Sequence, residues 1–314
     1  METLTTGTPE YLSKARAKAP ATCGELVHGF LEGREFLINC PIDLFAEVDV
    51  EVREDSRIRV DSFENYDKTA LAVRTTLDHL GAGHRGARLA IKSHIPRGKG
   101  LTGSNSEISA AILATAEALG KNISASQMAD IASHVEPSRG IYYPGVVMCE
   151  PPRGTLLEVF GGPPPLAFII VDTGGEVDGA QFDRLRLRQN AQKHERELRT
   201  AVELVTRGFR TQDSHLVARA ATLSAYCNQA VMFKPELEIL IASTQELGSL
   251  GVNCAHTGTV LGVMFNPLLT PVEPLLERVE LEVGAKKILG VHRFISGGAA
   301  PMESSLLPEG RICQ

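Results

Sequence analysis

The segment Pro96-Arg97-Gly98-Lys99-Gly100-Leu101-Thr102-Gly103-Ser104-Asn105-Ser106-Glu107 constrains this chain more than any other stretch. It stands between a strand pattern, Leu89 and Ile91 alternating with Arg88 and Lys92, and a helical pattern of Ile108, Ala111, Ile112, Thr115 and Leu119. Glycines allow close backbone approach. A strand, glycine loop and helix in this order therefore offer backbone N–H groups and the positive end of a helix to an anion. Lys99 adds a full charge within reach of a polyphosphate, and Ser104, at the expected helix start, carries a hydroxyl of the kind that ligates Mg2+. Pro96, Gly98, Lys99, Gly100, Leu101, Thr102, Gly103, Ser104, Asn105 and Ser106 are the expected phosphate-binding residues.

Two other readings of the loop stand beside this one. Gly98, Gly100 and Gly103 formally satisfy the G-x-G-x-x-G dinucleotide pattern of a Rossmann oxidoreductase. The strand before it is half polar, however, and no acid lies about 20 residues beyond, at 121–124. The third reading is a tight surface turn capped by Ser104. The Walker pattern is absent.

Composition narrows the partners. A formal charge of −6 argues against nucleic acid, and no tryptophan with 5% aromatic residues leaves few stacking platforms. Cysteines at 23, 40, 149, 227, 254 and 313 are too far apart for C-x-x-C pairs, which fits a reducing cytoplasm. The uncharged stretch Leu247 to Val272 contains Asn253, His256, Asn266 and prolines, so it reads as a buried loop and strand and not as a membrane span.

The rest of the chain divides into short α and β signals. Residues 1 to about 13 are polar and expected to be mobile. Val48, Val50 and Val52 mark a strand over Glu47 to Arg53, and Ala70, Val73, Leu77 and Leu80 a helix over Tyr66 to Leu80. Ser124 and Gln127 have capping-box spacing before a short helix. Strands are expected at 145–149, 156–160, 166–171, 259–265 and 288–295, and helices at 185–207, 213–229, 235–250 and 272–282. The Gly161-Gly162-Pro163-Pro164-Pro165 run is the expected domain boundary. Without regular βαβ alternation the fold class is α+β in two domains.

The motifs resemble those of the GHMP kinases. Pro-x-x-x-Gly-Leu-x-x-Ser from Pro96 is similar to the second motif of that family, Ala19-Pro20-Ala21-Thr22-Cys23-Gly24-Glu25-Leu26-Val27-His28-Gly29 to the first, and Ala255-His256-Thr257-Gly258-Thr259-Val260-Leu261-Gly262 to the third. The nearest likeness is to the L-threonine kinase branch of cobalamin biosynthesis, through Pro-Ala-x-Cys-Gly-Glu-Leu, Asn39-Cys40-Pro41-Ile42-Asp43 and Lys99-Gly100-Leu101. The resemblance implies a ribosomal protein S5 domain 2-like N-terminal domain over 14–162 and a ferredoxin-like C-terminal domain over 163–314. It also implies ATP and Mg2+ as cofactors, with Ser104 and Glu136 as metal ligands. Thr22, Glu25, Asp43, His256, Thr257 and Gly258 fall where substrate is held, His256 mainly as support for its loop. Asp172-Thr173-Gly174-Gly175 resembles a substrate loop, and Ser296-Gly297-Gly298 is expected to line the site late in the chain.

The departure from the family lies in Val135-Glu136-Pro137-Ser138-Arg139-Gly140. In the threonine kinase branch the fifth of these positions is an aspartate that resembles a catalytic base, and here it is Arg139. Arginine stays protonated and cannot take that role. Arg139 and Ser104 are then the expected catalytic residues, Arg139 by stabilising the transferring phosphoryl group or binding a substrate carboxylate. The expectation is an ATP-dependent kinase acting on the hydroxyl of an amino acid or amino alcohol. The alternatives are a kinase for a more acidic substrate and an ATP-binding protein that has lost turnover. A homodimer is left open.

Overall fold

The computed structural model describes residues 13–137, 139–177 and 183–303, so the N-terminal stretch expected to be mobile lies outside the described residues apart from Ser13. The chain opens as a long β-hairpin of β1 (Ser13–Leu31) and β2 (Arg34–Arg53). Glu32 and Gly33 join the strands with φ of 53° and 80°, the two positive angles of a tight turn whose twist matches the hairpin. The first motif, taken from sequence as a motif with no assigned element, is part of β1. Register shifts at Pro20/Ala21, Thr22/Glu25 and Glu25/Val27 bulge this strand, and Gly24 takes φ +54° there.

Next come β3 (Ile58–Val60), α1 (Asp67–His79), β4 (Gly86–Ser93), α2 (Gly103–Ala118) and α3 (Ala125–Ser133). β4 alternates buried and exposed residues and pairs antiparallel with β2, as its half-polar pattern predicts. α2 packs against β1 and β2 and is buried almost all round. Ala110, Ala111 and Ala114 let its backbone come close to the sheet, while Ile108 and Ile112 fill the core. The capping box of α3 is present: Gln127 N donates to Ser124 Oγ at 3.2 Å and Ser124 N to Gln127 Oε1 at 2.9 Å.

A hairpin of β5 (Val146–Glu150) and β6 (Thr155–Gly161) attaches to β2, and the Gly-Pro run then leads into β7 (Ala167–Asp172). The helix expected over 185–207 is two helices, α4 (Arg184–Lys193) and α5 (Glu195–Thr211), which break at His194. α6 (Ser214–Asn228) and α7 (Glu236–Thr244) follow. The stretch Leu247 to Val272 holds two strands where one was expected, β8 (Ser249–Cys254) and β9 (Val260–Phe265), with the third motif as the loop between them. α8 (Val272–Val283), β10 (Ile288–Arg293) and β11 (Ala300–Met302) complete the described chain.

Among the described residues the strands form one sheet in the order β10-β7-β9-β8-β1-β2-β4-β3. The two arms meet where β8 touches β1, through the single pair Glu25 and Cys254. β11 returns to the first arm and pairs with β1, from Arg16–Met302 to Lys18–Ala300. First and third motifs are thereby brought side by side, with the second motif and α2 beneath them. No described helix is long and apolar enough to cross a membrane.

Candidate active site

The glycine loop runs from β4 to α2. Gly98 and Gly100 have φ of +71° and +90°, and Thr102, the residue before α2, has φ 62°. The helix starts at Gly103, one residue earlier than expected, and no side chain caps it. Ser104 therefore does not cap, and the positive end of α2 faces the loop. Two glycines have a reason within the protein. A Cβ on Gly100 would lie 2.4 Å from Ala255 Cβ, and one on Gly258 2.4 Å from Gly100 Cα. Lys99 O accepts from Thr259 N at 2.8 Å and Val260 N at 3.1 Å. The second and third motifs are thus pressed backbone to backbone, and only glycine fits at that contact.

A cavity of about 560 Å3 opens in front of the loop. Pro96, Gly98, Gly100, Leu101, Thr102, Gly103, Ser104 and Asn105 line it from the second motif; Glu136, Arg139 and Thr257 join them. At one end Ser104 Oγ donates to Glu136 Oε1 at 2.6 Å, and Asn105 Nδ2 reaches the same oxygen. Tyr142 Oη donates to Asn105 Oδ1 at 3.0 Å and so orients the amide. Lys68 Nζ lies 2.7 Å from Glu136 Oε2. A buried carboxylate and a hydroxyl side by side are hard oxygen donors, and Mg2+ completes such a pair with phosphate oxygens and water, so these residues fit the ion.

At the other end Arg139 spans the motifs. Its Nη1 is 2.7 Å from Glu25 Oε1 on β1, and its Nη2 donates to Thr257 Oγ1 at 2.7 Å. Glu25 Oε2 accepts from His256 N at 2.9 Å, and His256 Nε2 shares a hydrogen bond with Ser224 Oγ at 2.8 Å. Burial opposes ionisation of Glu25, but His256 and Arg139 outweigh it and hold the carboxyl well below its usual range. Burial likewise opposes protonation of His256. The Cys254 sulfur and the Glu25 carboxylate outweigh it and push the imidazole up to about 10. The result is a buried, charged support behind one guanidinium.

Several expected site residues are elsewhere. Lys99 turns away from the cavity: its Nζ is 2.9 Å from Asp172 Oδ2 and donates to Gly175 O at 2.6 Å. Asp172-Thr173-Gly174-Gly175 therefore anchors Lys99 and lies outside the cavity lining, with Thr259 Oγ1 donating to Asp172 at 2.6 Å. Ser106 is fully buried and donates to Pro20 O at 2.8 Å, because one residue along a helix turns its side chain to another face. Thr22 is buried and shares a hydrogen bond with the Thr102 hydroxyl, so it buttresses the loop. Asp43 is held by Arg293, through N at 2.9 Å and Nε at 3.1 Å, which gives its carboxylate a structural partner away from the cavity. Gly258 sits behind Gly100, and His256 is buried behind Glu25. Gly297 and Gly298 pair with Gly145 and Ile141 and do not line the cavity.

The sequence reading missed the opposite wall, formed by Asn65, Tyr66, Asp67, Lys68 and Thr69 at the start of α1. Arg97 ties this wall to the loop: its guanidinium lies over the Tyr66 ring at 4.6 Å and donates to Asn65 O at 2.9 Å. The available signal was the polar run Asn65 to Lys68 ahead of an amphipathic helix, which resembles an ordinary solvated helix start.

Residues 66–142, from this wall through the glycine loop to Tyr142, match the GHMP kinases N terminal domain. The L-threonine kinase of Citrobacter freundii is 27% identical over 260 residues, covering 80% of this chain and 86% of that protein. The L-threonine kinase of Salmonella typhimurium is 27% identical over 259 residues, covering 80% and 83%. The chain is similar to the GHMP kinases across this domain. The kinase shares its fold with homoserine kinase from Cytophaga hutchinsonii, at a TM-score of 0.69 and 15% identity, with 96% of this chain and 100% of that one covered. L. major mevalonate kinase in complex with R-mevalonate aligns at a TM-score of 0.64 and 14% identity, covering 93% and 100%. The mixed α and β architecture expected from sequence is thus that of the family.

Proposed function

We propose that this kinase transfers the terminal phosphoryl group of Mg·ATP to the hydroxyl of a small hydroxy amino acid, with L-threonine the first candidate. One observation carries the reading: the Ser104–Glu136 pair, the uncapped start of α2 and the Arg139 guanidinium all border a single cavity. The L-threonine kinases similar to it over four-fifths of its length support the choice of substrate.

Under this reading the N–H groups at the start of α2 and the glycine loop receive the phosphates. Mg2+, when held by Ser104 and Glu136, neutralises charge on the phosphate oxygens. Arg139 is fixed as a fork by Glu25 and Thr257, and its remaining N–H groups receive the substrate carboxylate or the transferring group. Phosphoryl transfer passes through a loose transition state in which positioning and charge stabilisation do most of the work, so an arginine in place of a base is compatible with turnover.

A second reading, an ATP-binding protein without turnover, is favoured by the same contact, since Glu25 already occupies one side of Arg139. ADP release with L-threonine, L-homoserine, L-serine and amino alcohols separates the two. Turnover with a hydroxy amino acid above that with an amino alcohol supports the kinase and the carboxylate contact; MgATP binding with no turnover on any of them supports the second reading.

A further inference from the structure

Glu136 receives Ser104 and Asn105 on one oxygen and Lys68 on the other. The carboxylate is buried, whereas the Lys68 side chain is 58% exposed. Lys68 sits in the first turn of α1, on the wall that Arg97 fastens to the glycine loop. The ammonium thus approaches the carboxylate from solvent on a flexible four-carbon stem, from the cavity's own rim.

A buried carboxylate needs a compensating charge whenever no metal is present. We propose that Lys68 is a positioning residue that holds Glu136 in the metal-free site and passes its ammonium to the nucleotide phosphates when Mg2+ takes the carboxylate. This rests on the reading of the cavity as a Mg·ATP site. Its distinctive consequence is a pair of effects with opposite signs. Lys68 competes with a free metal ion for Glu136, but it adds a charge-assisted hydrogen bond to a bound nucleotide.

The test uses the full chain, with Mn2+ alone followed by electron paramagnetic resonance of the free ion, and MgATP followed by calorimetry. Lys68→Met is expected to bind Mn2+ about two- to fivefold tighter than wild type, the scale of an exposed ion pair. It is expected to bind MgATP about tenfold weaker. Lys68→Arg keeps the charge and should restore both values toward wild type. Because Lys68→Met leaves the buried Glu136 without its ammonium, a lowered unfolding midpoint is expected in the metal-free protein, recovering when Mn2+ is added. If wild type binds both Mn2+ and MgATP and Lys68→Met leaves both affinities unchanged or moves them in the same direction, the proposal fails alone. If wild type binds no MgATP, the nucleotide reading fails and the proposal with it.

Discussion

The two ends of the cavity are built differently. The Ser104–Glu136 end, proposed above to hold the metal, is assembled from the first turns of two helices and the segment after a third: Lys68 on α1, Ser104 and Asn105 on α2, and Glu136 after α3. One of its contacts is a solvent-exposed lysine. The Arg139 end is assembled across the sheet junction from residues more than a hundred positions apart, and its support runs inward to the buried Glu25, His256 and Ser224. At the first end the contact that would have to be given up is to an exposed side chain. The second is a pre-oriented charge, and reorienting it would leave Glu25 buried without its cation. This difference suits a site in which the nucleotide's metal comes and goes while the substrate contact stays fixed.

The comparison can be broken at each end. Glu136→Gln removes the carboxylate at the metal end, and ADP release should fall about 100-fold with a raised Mg2+ requirement; Ser104→Ala should fall less. Unchanged Mg2+ dependence in both would place the metal elsewhere. At the other end, Arg139→Ala should raise the KM for the amino acid about tenfold or more while leaving MgATP binding near wild type, with Arg139→Lys in between because it keeps charge but not the fork. A loss confined to MgATP affinity would reverse the assignment.

Two smaller effects sharpen the picture. The folded pKa of His256 is raised from 6.5 to about 10, so the stability its protonation supplies is full below pH 6.5 and is lost as pH rises through about 10. Urea unfolding of wild type against His256→Gln should show the advantage of wild type shrinking across that window; an advantage that grows with pH would contradict the charged network. Lys99→Met should change the KM for MgATP less than about threefold, because the ammonium is held by Asp172, and cost about 1–2 kcal/mol in stability, because both side chains are less than a fifth exposed and Asp172 loses its cation. A large KM effect would return Lys99 to the phosphates.

What was legible in the sequence follows physical range. The α2 periodicity and the capping box of α3 follow from local spacing, whereas the pairing of Ser104 with Glu136, 32 residues away, was accessible only through the family resemblance. β1 was not legible as a strand, because it is buried on both faces and bulged three times, which erases the period-two alternation. Lys99 and Asp43 looked like site residues because a charge near a motif is visible in sequence, whereas the partner that claims it is not: Asp172 and Arg293 arrive only through tertiary pairing. Lys68 was missed for the converse reason. A lysine in the first turn of an amphipathic helix looks solvated until Glu136 is folded against it.

Under the proposed function the cavity transfers a phosphoryl group from ATP to the hydroxyl of an amino acid. Phosphorus NMR of the chain incubated with MgATP and L-threonine tests it most directly. A phosphomonoester signal should grow as ATP is consumed, about 100-fold more slowly with Glu136→Gln. ATP left intact with L-threonine, L-homoserine and L-serine alike, by a protein that binds MgATP, would contradict it.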